Sequence, residues 1–444
     1  MTIFSKIISR DTRRVFTIAI PAALKHLVDI LQILIDMLMV GMVSVAALAA
    51  VGMSMQFMMI INVLMTLYVV GGNALISRFI GEGRKKRASA LLYALAILAA
   101  ILSLFVSFGG YFGSEYIYSL MGAEADVIHE GSLYFKIISL GLVVIFIDTL
   151  LYNALSAAGD TKNSLYIKLV STAINAFLNY ILIFGHFGFP AMGIEGAAYA
   201  TVFAYCFNVL AYYILIKKPY SKLNFIPIIR VKDLIRVWHI GWSAALDRGI
   251  SSISFLLFVA IIAAYGTEAL AGYQVGLRIE GIAFMPGFGF AIAATALVGQ
   301  SLGAKNRERA YNMGIISGRV AYIFMGSVGL FLILFPEFLV GFFTEDKETI
   351  AVASYYLILV GLAQIPLAIV FVYSGALRGA GATKITLKIN VLSLWFFRVI
   401  PSYIAYKMGY GIIVIFIIMN IETLIKGLLY AYVYKKRNWL ETKV

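Results

Sequence analysis

Four polar residues, Lys25, Asp29, Gln32 and Asp36, interrupt an otherwise apolar stretch at spacings of 4, 3 and 4. That period lays them in one stripe along an α-helix. Lys168, Ser171, Asn175 and Asn179 form a second stripe of the same kind in another apolar stretch. An aspartate at a similar depth to two carboxamides is a set of hard oxygen donors, suited to a small cation. A carboxylate shielded from water also takes up a proton readily. Lys25 and Asp29 lie near the start of their helix and can pair or snorkel. Asp36 lies deeper, with no cation close by in sequence. Plainer readings stand beside the ionic one. Asp36 can sit at the outer interface, bonded to a loop, and asparagines serve as glue between membrane helices.

The elements that position these stripes follow from composition. The chain has 444 residues, 62% hydrophobic and 13% charged, with a mean hydropathy of +0.92. Soluble domains are nearer ~45–50% apolar and ~25% charged, so a water-soluble enzyme is excluded. An all-α polytopic membrane protein is expected, because every backbone polar group must be paired inside lipid. Twelve stretches have spanning length: 15–40, 47–72, 88–113, 131–156, 163–186, 194–216, 237–264, 269–300, 310–335, 351–377, 385–407 and 411–434; a span takes roughly 20 residues.

Charge orders the loops. Segments 1–14, 78–87, 160–168, 217–236, 305–309, 378–388 and 435–444 hold 27 of the 36 Lys and Arg. The opposite loops are acidic, with Glu115, Glu124, Asp126 and Glu130 in one and Glu337, Glu345, Asp346 and Glu348 in another. By the positive-inside rule both termini are cytoplasmic, in a multi-pass protein of the plasma (inner) membrane. The net charge of +14 is thus topological and does not point to nucleic acid. The basic start followed by a span-length run fits an uncleaved first helix. The single Cys206 and the scattered His26, His129, His186 and His239 suggest no disulfide, zinc or iron–sulfur site. No cofactor is expected.

The chain also aligns with itself at a shift of 222 residues, half its length. Ala22-Ala23-Leu24 falls on Ala244-Ala245-Leu246, and Leu155, Ala158, Gly159, Thr161 and Lys162 fall on Leu377, Ala380, Gly381, Thr383 and Lys384. Six helices per copy is an even number, so the repeats are parallel. This predicts two pseudo-symmetric six-helix bundles: an N-lobe at 1–216, a basic cytoplasmic linker at 217–236 and a C-lobe at 237–444. Two facing bundles permit alternating access, and one chain carrying both makes a monomer sufficient.

The second lobe has Phe258 where the first has Asp36, and charges of its own. Arg278 and Glu280, two apart in the eighth helix, face different sides and are expected as buried charges that each need another partner. Arg398 lies in the eleventh helix, and Glu422 and Lys426 form an i,i+4 pair in the twelfth. Pro21, Pro286 and Pro366 each remove a helix hydrogen bond and permit a kink. Eight of the 16 methionines fall between Met37 and Met65; such residues suit varied ligands or ordinary packing. Gly81-Glu82-Gly83 is a basic loop and no phosphate-binding motif. Transport driven by an ion gradient is therefore expected, and no catalytic set stands out.

The chain resembles the multidrug and toxic compound extrusion (MATE) family over essentially its whole length. The pieces that carry the likeness are Asp36-Met-Leu-Met-Val-Gly41 followed by Ala46-Ala-Leu-Ala-Ala-Val-Gly52, Ala158-Gly-Asp-Thr-Lys162, Asn175-Ala-Phe-Leu-Asn179 with Ile181-Leu-Ile-Phe-Gly185, Val298-Gly-Gln-Ser-Leu-Gly-Ala304 and Leu377-Arg-Gly-Ala-Gly381. Leu277-Arg-Ile-Glu280 and Phe284-Met-Pro-Gly-Phe-Gly289 look most like its DinF-like, archaeal-type branch. The resemblance implies a V-shaped pair of lobes that exports organic cations in exchange for Na⁺ or H⁺. It places the coupling aspartate at Asp36, an asparagine at Asn175, a threonine at Thr201 and the proline that bends the first helix at Pro21. Sodium, if it is the coupling ion, would meet Asp36, Asn175, Asn179 and Thr201. The chain departs from the branch at Asn179, where a second aspartate is common, and at Ser156, which faces Arg378 in the repeat alignment. The glutamate of another branch is absent from the seventh helix, which reads Ser251-Ser252 there.

These readings make the chain a secondary antiporter for cationic or amphiphilic small molecules, embedded in the lipid bilayer, and not an enzyme. A flippase for lipid-linked oligosaccharides or other lipids is the alternative within the same exporter superfamily; its cavities are cationic, whereas the deep charges here are mixed. A lipid-modifying enzyme would need an acid/base or metal cluster, and none is evident.

Overall fold

The computed structural model describes residues 9–442, which are almost entirely helical. The first six helices are α1 (Arg10–Gly41), α2 (Val45–Gly81), α3 (Lys85–Leu120), α4 (Ala125–Ala158), α5 (Lys162–Phe184) and α6 (Gly193–Lys217). Next come α7 (Val231–Ala263), α8 (Thr267–Ala283), α9 (Met285–Gly303), α10 (Arg307–Leu334) and the short α11 (Pro336–Val340). The chain closes with α12 (Lys347–Gly379), α13 (Thr383–Leu394), α14 (Ile400–Lys407) and α15 (Ile412–Lys435). Among the described residues, twelve helical segments are long and apolar enough to cross a membrane. Each overlaps one of the twelve expected stretches, and most run several residues beyond the expected ends.

Local chemistry sets the helix ends. Ser44 caps α2 by accepting the Ala47 N–H at 2.9 Å. Asn306 caps α10 through the Arg309 N–H at 2.8 Å. Asp346 caps α12 through the Thr349 N–H at 2.8 Å, and hydrogen bonding from the Thr349 side chain, then from its backbone, holds the Asp346 carboxyl below the ordinary aspartate value. The repeat-related Gly159 (φ 88°) and Gly381 (φ 81°) both turn the chain in the left-handed region after α4 and α12, where a side chain is disfavoured.

The prolines divide. Pro286 starts α9 and the helix breaks at Phe284, so the eighth span is two helices. Pro21 and Pro366 sit inside continuous α1 and α12. Pro401, not singled out from sequence, follows a π-helical turn, Trp395–Val399, that joins α13 to α14. Proline cannot donate to the helix ladder, and the Ile400 N–H bonds back five residues to Trp395.

The chain forms two compact units: Leu24–Trp238, and His239–Val444 together with the chain up to Ala23. This division differs from the expected lobes at two points. The first helix changes unit at Ala23/Leu24, within a turn of Pro21. The expected linker, 217–236, belongs to the Leu24–Trp238 unit, and its last residues already form α7. There Lys222 Nζ donates to the Ala158 carbonyl at 2.8 Å, the Asn224 N–H to Ser89 Oγ at 2.9 Å, and Arg87 grips Asp233 at 2.7 and 3.1 Å. This segment is pinned, not a loose tether.

Each unit repeats one packing plan. In the first, α2, α3 and α4 pack on one another, α4 packs on α6, and α6 on α5. In the second, α9, α10 and α12 pack on one another, α12 packs on α15, and α15 on α13 and α14. Asn73 bonds Asn153 at 3.2 Å between α2 and α4, and Thr295, 222 residues after Asn73, bonds the Gly375 carbonyl at 2.8 Å between α9 and α12. In the second unit Val15, Ile18 and Ala19 of α1 share a core with Phe290, Ala293 and Leu297. The C-terminal end is clamped by Tyr434, stacked on Tyr373 at 4.3 Å and on Trp439 at 4.7 Å.

Two repeat pairs in the left-handed region are mismatched, Phe187 (φ 57°) with Gly409 (φ 77°) and a second between the α2–α3 and α9–α10 turns. Gly83 (φ 76°) turns the chain between α2 and α3, and its counterpart between α9 and α10 is Lys305 (φ 59°). A left-handed lysine is strained by about 1–2 kcal/mol relative to glycine, partly offset by the unfolded-state freedom of glycine. Lys305→Gly is expected to stabilise the protein by up to about 1 kcal/mol, read as a raised melting temperature of the purified protein. An unchanged or lowered melting temperature contradicts this account of the turn.

Candidate functional site

The two polar stripes read from the sequence face each other. Lys168 Nζ of α5 meets Asp29 at 3.0 Å and donates to Gln32 Oε1 at 2.6 Å. Thr172 donates to the same Gln32 oxygen at 3.2 Å. Lys25 bonds Asp29 at 2.8 Å within α1 and lies over the Tyr152 ring at 4.1 Å. Further along both helices, Asn179 Nδ2 donates to Asp36 Oδ1 at 2.5 Å. Helical spacing on α1 and α5 thus becomes a ladder of side-chain bonds between them. Among the described residues every charged rung but one carries an ion pair. The exception is Asp36, whose hydrogen-bond partner is a neutral amide.

Around Asp36 the polar groups are under-satisfied. Asn175 and Asn179 are fully buried. Neither amide atom of Asn175 has a hydrogen-bond partner among the described residues, and neither has Asn179 Oδ1. Leaving a buried polar atom unpaired costs about 1–3 kcal/mol, and such atoms cluster where a ligand binds. Asp36 is half-buried and so is Thr201 of α6; among the described residues no bond joins Thr201 to Asp36 or the two asparagines. The site therefore brings Asp36 and Asn179 into contact, buries Asn175 with both its amide atoms unpaired, and leaves Thr201 outside the bonded group. Among the described residues no group of three His, Cys, Asp or Glu is placed to hold a metal ion. The oxygens of Asp36, Asn175 and Asn179 are hard donors of the kind that suit a small cation, and a carboxylate can alternatively hold a proton.

Sequence reasoning missed Asp148 on α4. It is buried and its Oδ1 has no hydrogen-bond partner among the described residues; Lys25, Lys168 and Asp29 lie within electrostatic reach. Its signal was one acid inside an apolar span, the default mark of a functional position.

In the other unit the expected site residues part company. Arg278, expected to be buried, is exposed. The two-residue spacing turns it away from the face that carries Glu280, which is buried at 7% exposure and takes its hydrogen bond from Tyr356 of α12. The Glu422–Lys426 pair is real at 2.7 Å and is completed by Arg398 Nη2 on the other oxygen at 2.6 Å. Asp247, also missed, takes two bonds from Asn390 Nδ2 at 2.8 and 2.9 Å. These two sit 222 residues after Lys25 and Lys168, so the repeat offset could have found them.

Breaking a buried ion pair by removing one partner costs about 3–5 kcal/mol, while an exposed side chain contributes within about 0.5 kcal/mol. Arg398→Met is therefore expected to lower the melting temperature sharply, with Arg278→Ala close to wild type. Equal losses for the two contradict the burial assigned to them.

The sequence profile of the MatE family matches twice, at residues 21–181 and 244–404, once in each repeat. The chain is 28% identical over 397 residues to "Probable multidrug resistance protein NorM" of Thermotoga maritima, covering 89% of this chain and 86% of the relative. Two solved structures share the fold. One is a multidrug resistance MATE family transporter of the MOP superfamily in an outward-facing conformation: TM-score 0.89, 19% identity, 100% of this chain and 99% of that one. The other is a MOP superfamily transporter from Pyrococcus furiosus, described as having a binding pocket of reverse polarity that suggests a different function: TM-score 0.88, 20% identity, 98% of each chain. With twelve spans in two six-helix halves, this multi-pass membrane protein belongs to the MatE family and is a transporter, not an enzyme.

Proposed function

We propose that the chain is a secondary exporter of cationic or amphiphilic small molecules, driven by exchange for a cation, H⁺ or Na⁺, that binds at Asp36. The observation that carries this reading is the ladder between α1 and α5, which neutralises Asp29 with Lys25 and Lys168 but gives Asp36 only an amide. A carboxylate placed among neutral donors is free to exchange its counter-charge. Among the described residues Asn175 Oδ1 and Asn179 Oδ1 have no protein donor and are the oxygens available to Na⁺, with the Thr201 hydroxyl a further candidate. With H⁺ as the ion, the proton sits on Asp36 and the Asn179 bond loses its charge assistance. Protonation weakens the tie between α1 and α5, whereas Na⁺ shared by Asp36 and the asparagine oxygens replaces the amide bond with an ionic bridge; either event changes how α1 is held, and Pro21 is the point at which α1 would bend. The ion drives transport only by binding one conformation better than the other.

The multidrug name of the Thermotoga maritima relative supports small-molecule export. We assign the chain to the DinF-like branch on the carboxylate in its first half and on Leu277-Arg-Ile-Glu280. We place it in the plasma (inner) membrane, orient both termini to the cytoplasm on the charge of its loops, and read it as a monomer because one chain carries both halves. A lipid flippase accommodating a pyrophosphate is less well supported. The buried charges near Asp36 comprise Asp29, Asp36 and Asp148 against Lys25 and Lys168, a mixed set with an acidic excess.

In proteoliposomes, an imposed pH or Na⁺ gradient is expected to drive efflux of a cationic dye by wild type. Asp36→Asn should fold normally and reduce efflux to background, and Arg278→Ala should retain it. Normal gradient-driven efflux by Asp36→Asn contradicts the coupling role.

A further inference from the structure

A basic cavity of about 480 Å³ opens in the Leu24–Trp238 unit where α2 meets α3, lined by Gly83, Arg84, Lys85, Lys86, Arg87 and Arg230. Two of these cations are engaged: Arg87 by Asp233 at 2.7 Å and Arg84 by Glu82 at 3.2 Å. Among the described residues Lys85, Lys86 and Arg230 have no carboxylate partner, and all three are exposed. The first turn of α3 also lacks a side-chain cap, so its N-terminal dipole adds to the positive field.

The second repeat shows that this is not a requirement of the loop. Its counterpart between α9 and α10 carries three cations, Lys305, Arg307 and Arg309, against four at 84–87, and among the described residues only Lys305 there has no carboxylate partner. Arg309 pairs with Asp11 at 3.1 Å and Arg307 with Glu441 at 3.2 Å, while Glu308 takes Arg437 at 2.8 Å. One copy leaves a single lysine uncompensated; the other gathers three uncompensated cations, Lys85, Lys86 and Arg230, around a cavity.

We infer that this cavity binds the phosphate headgroup of an anionic membrane lipid, clamped between the α2–α3 turn and Arg230 of the segment that leads into α7. Lysines and arginines at the end of a span lie at headgroup depth, where each adds several-fold to the affinity for an anionic lipid. The chemistry recognised, a phosphate ester, is shared with free phosphate. The surroundings favour the lipid: Ile228, Ile229 and Val231, on either side of Arg230, are 49%, 52% and 65% exposed, an apolar flank for acyl chains that a free ion has no use for.

The test is native mass spectrometry of the full chain in mixed phosphatidylglycerol and phosphatidylcholine, on wild type, the triple variant Lys85→Ser/Lys86→Ser/Arg230→Ser, and Lys305→Ser in the other repeat as control. Wild type and the control are expected to retain phosphatidylglycerol over phosphatidylcholine, and the triple variant to retain about tenfold less. Replacing both lysines by arginine should keep retention, which separates charge from fold. Equal retention of phosphatidylglycerol by the triple variant overturns the site. Displacement of the lipid by millimolar inorganic phosphate overturns the lipid as its occupant.

Discussion

A carboxylate on a membrane helix has no water to answer it and must find its partner on a neighbouring helix. The ladder between α1 and α5 is built on that constraint. Lys168 reaches Asp29 and Gln32, and Asn179 reaches Asp36. The lower rungs are ionic and resemble structural pairs, whose separation leaves a charge stranded in a poor dielectric. The Asp36 rung is a single amide bond with unpaired carboxamide atoms beside it. Stability is placed at one end of the ladder and exchangeability at the other. The same helix carries Pro21 and changes unit two residues later.

The second unit shows the contrasting solution. With the same packing plan and the same α2/α4-type hydrogen bond between α9 and α12, it fills the corresponding positions differently. Phe258 stands where Asp36 does, fully buried against Tyr273. Asp247 and Asn390 replace two lysines by a neutral-donor pair. Arg398 is held by Glu422 on a π-helical turn that Pro401 forces on the backbone. The two halves thus share a scaffold and diverge in which polar groups are satisfied. Function is carried by those choices, not by the fold.

The spans were legible because lipid demands continuous apolar helices, and all twelve were placed. The stripes on α1 and α5 were legible because 3.6-residue periodicity decides which side chains share a face. What stayed hidden has a common cause. Register between helices distant in sequence decides that Lys168 meets Asp29 and that Glu280 meets Tyr356, and periodicity carries no information about it. Arg278 was expected buried: the two-residue spacing showed that it and Glu280 face different sides of the helix, but which side is exposed is decided by packing. The change of unit within α1 leaves no mark on composition, and the expected linker hid the start of α7 because its charges masked a helical turn.

The central claim is that Asp36 is the group whose counter-charge exchanges. Infrared difference spectroscopy of the purified protein reads this directly. Adding Na⁺ or a cationic substrate at mildly acidic pH should remove a protonated carboxyl C=O band from wild type and leave no such change in Asp36→Asn. The same band lost in the variant, or no carboxyl change in wild type, contradicts the account.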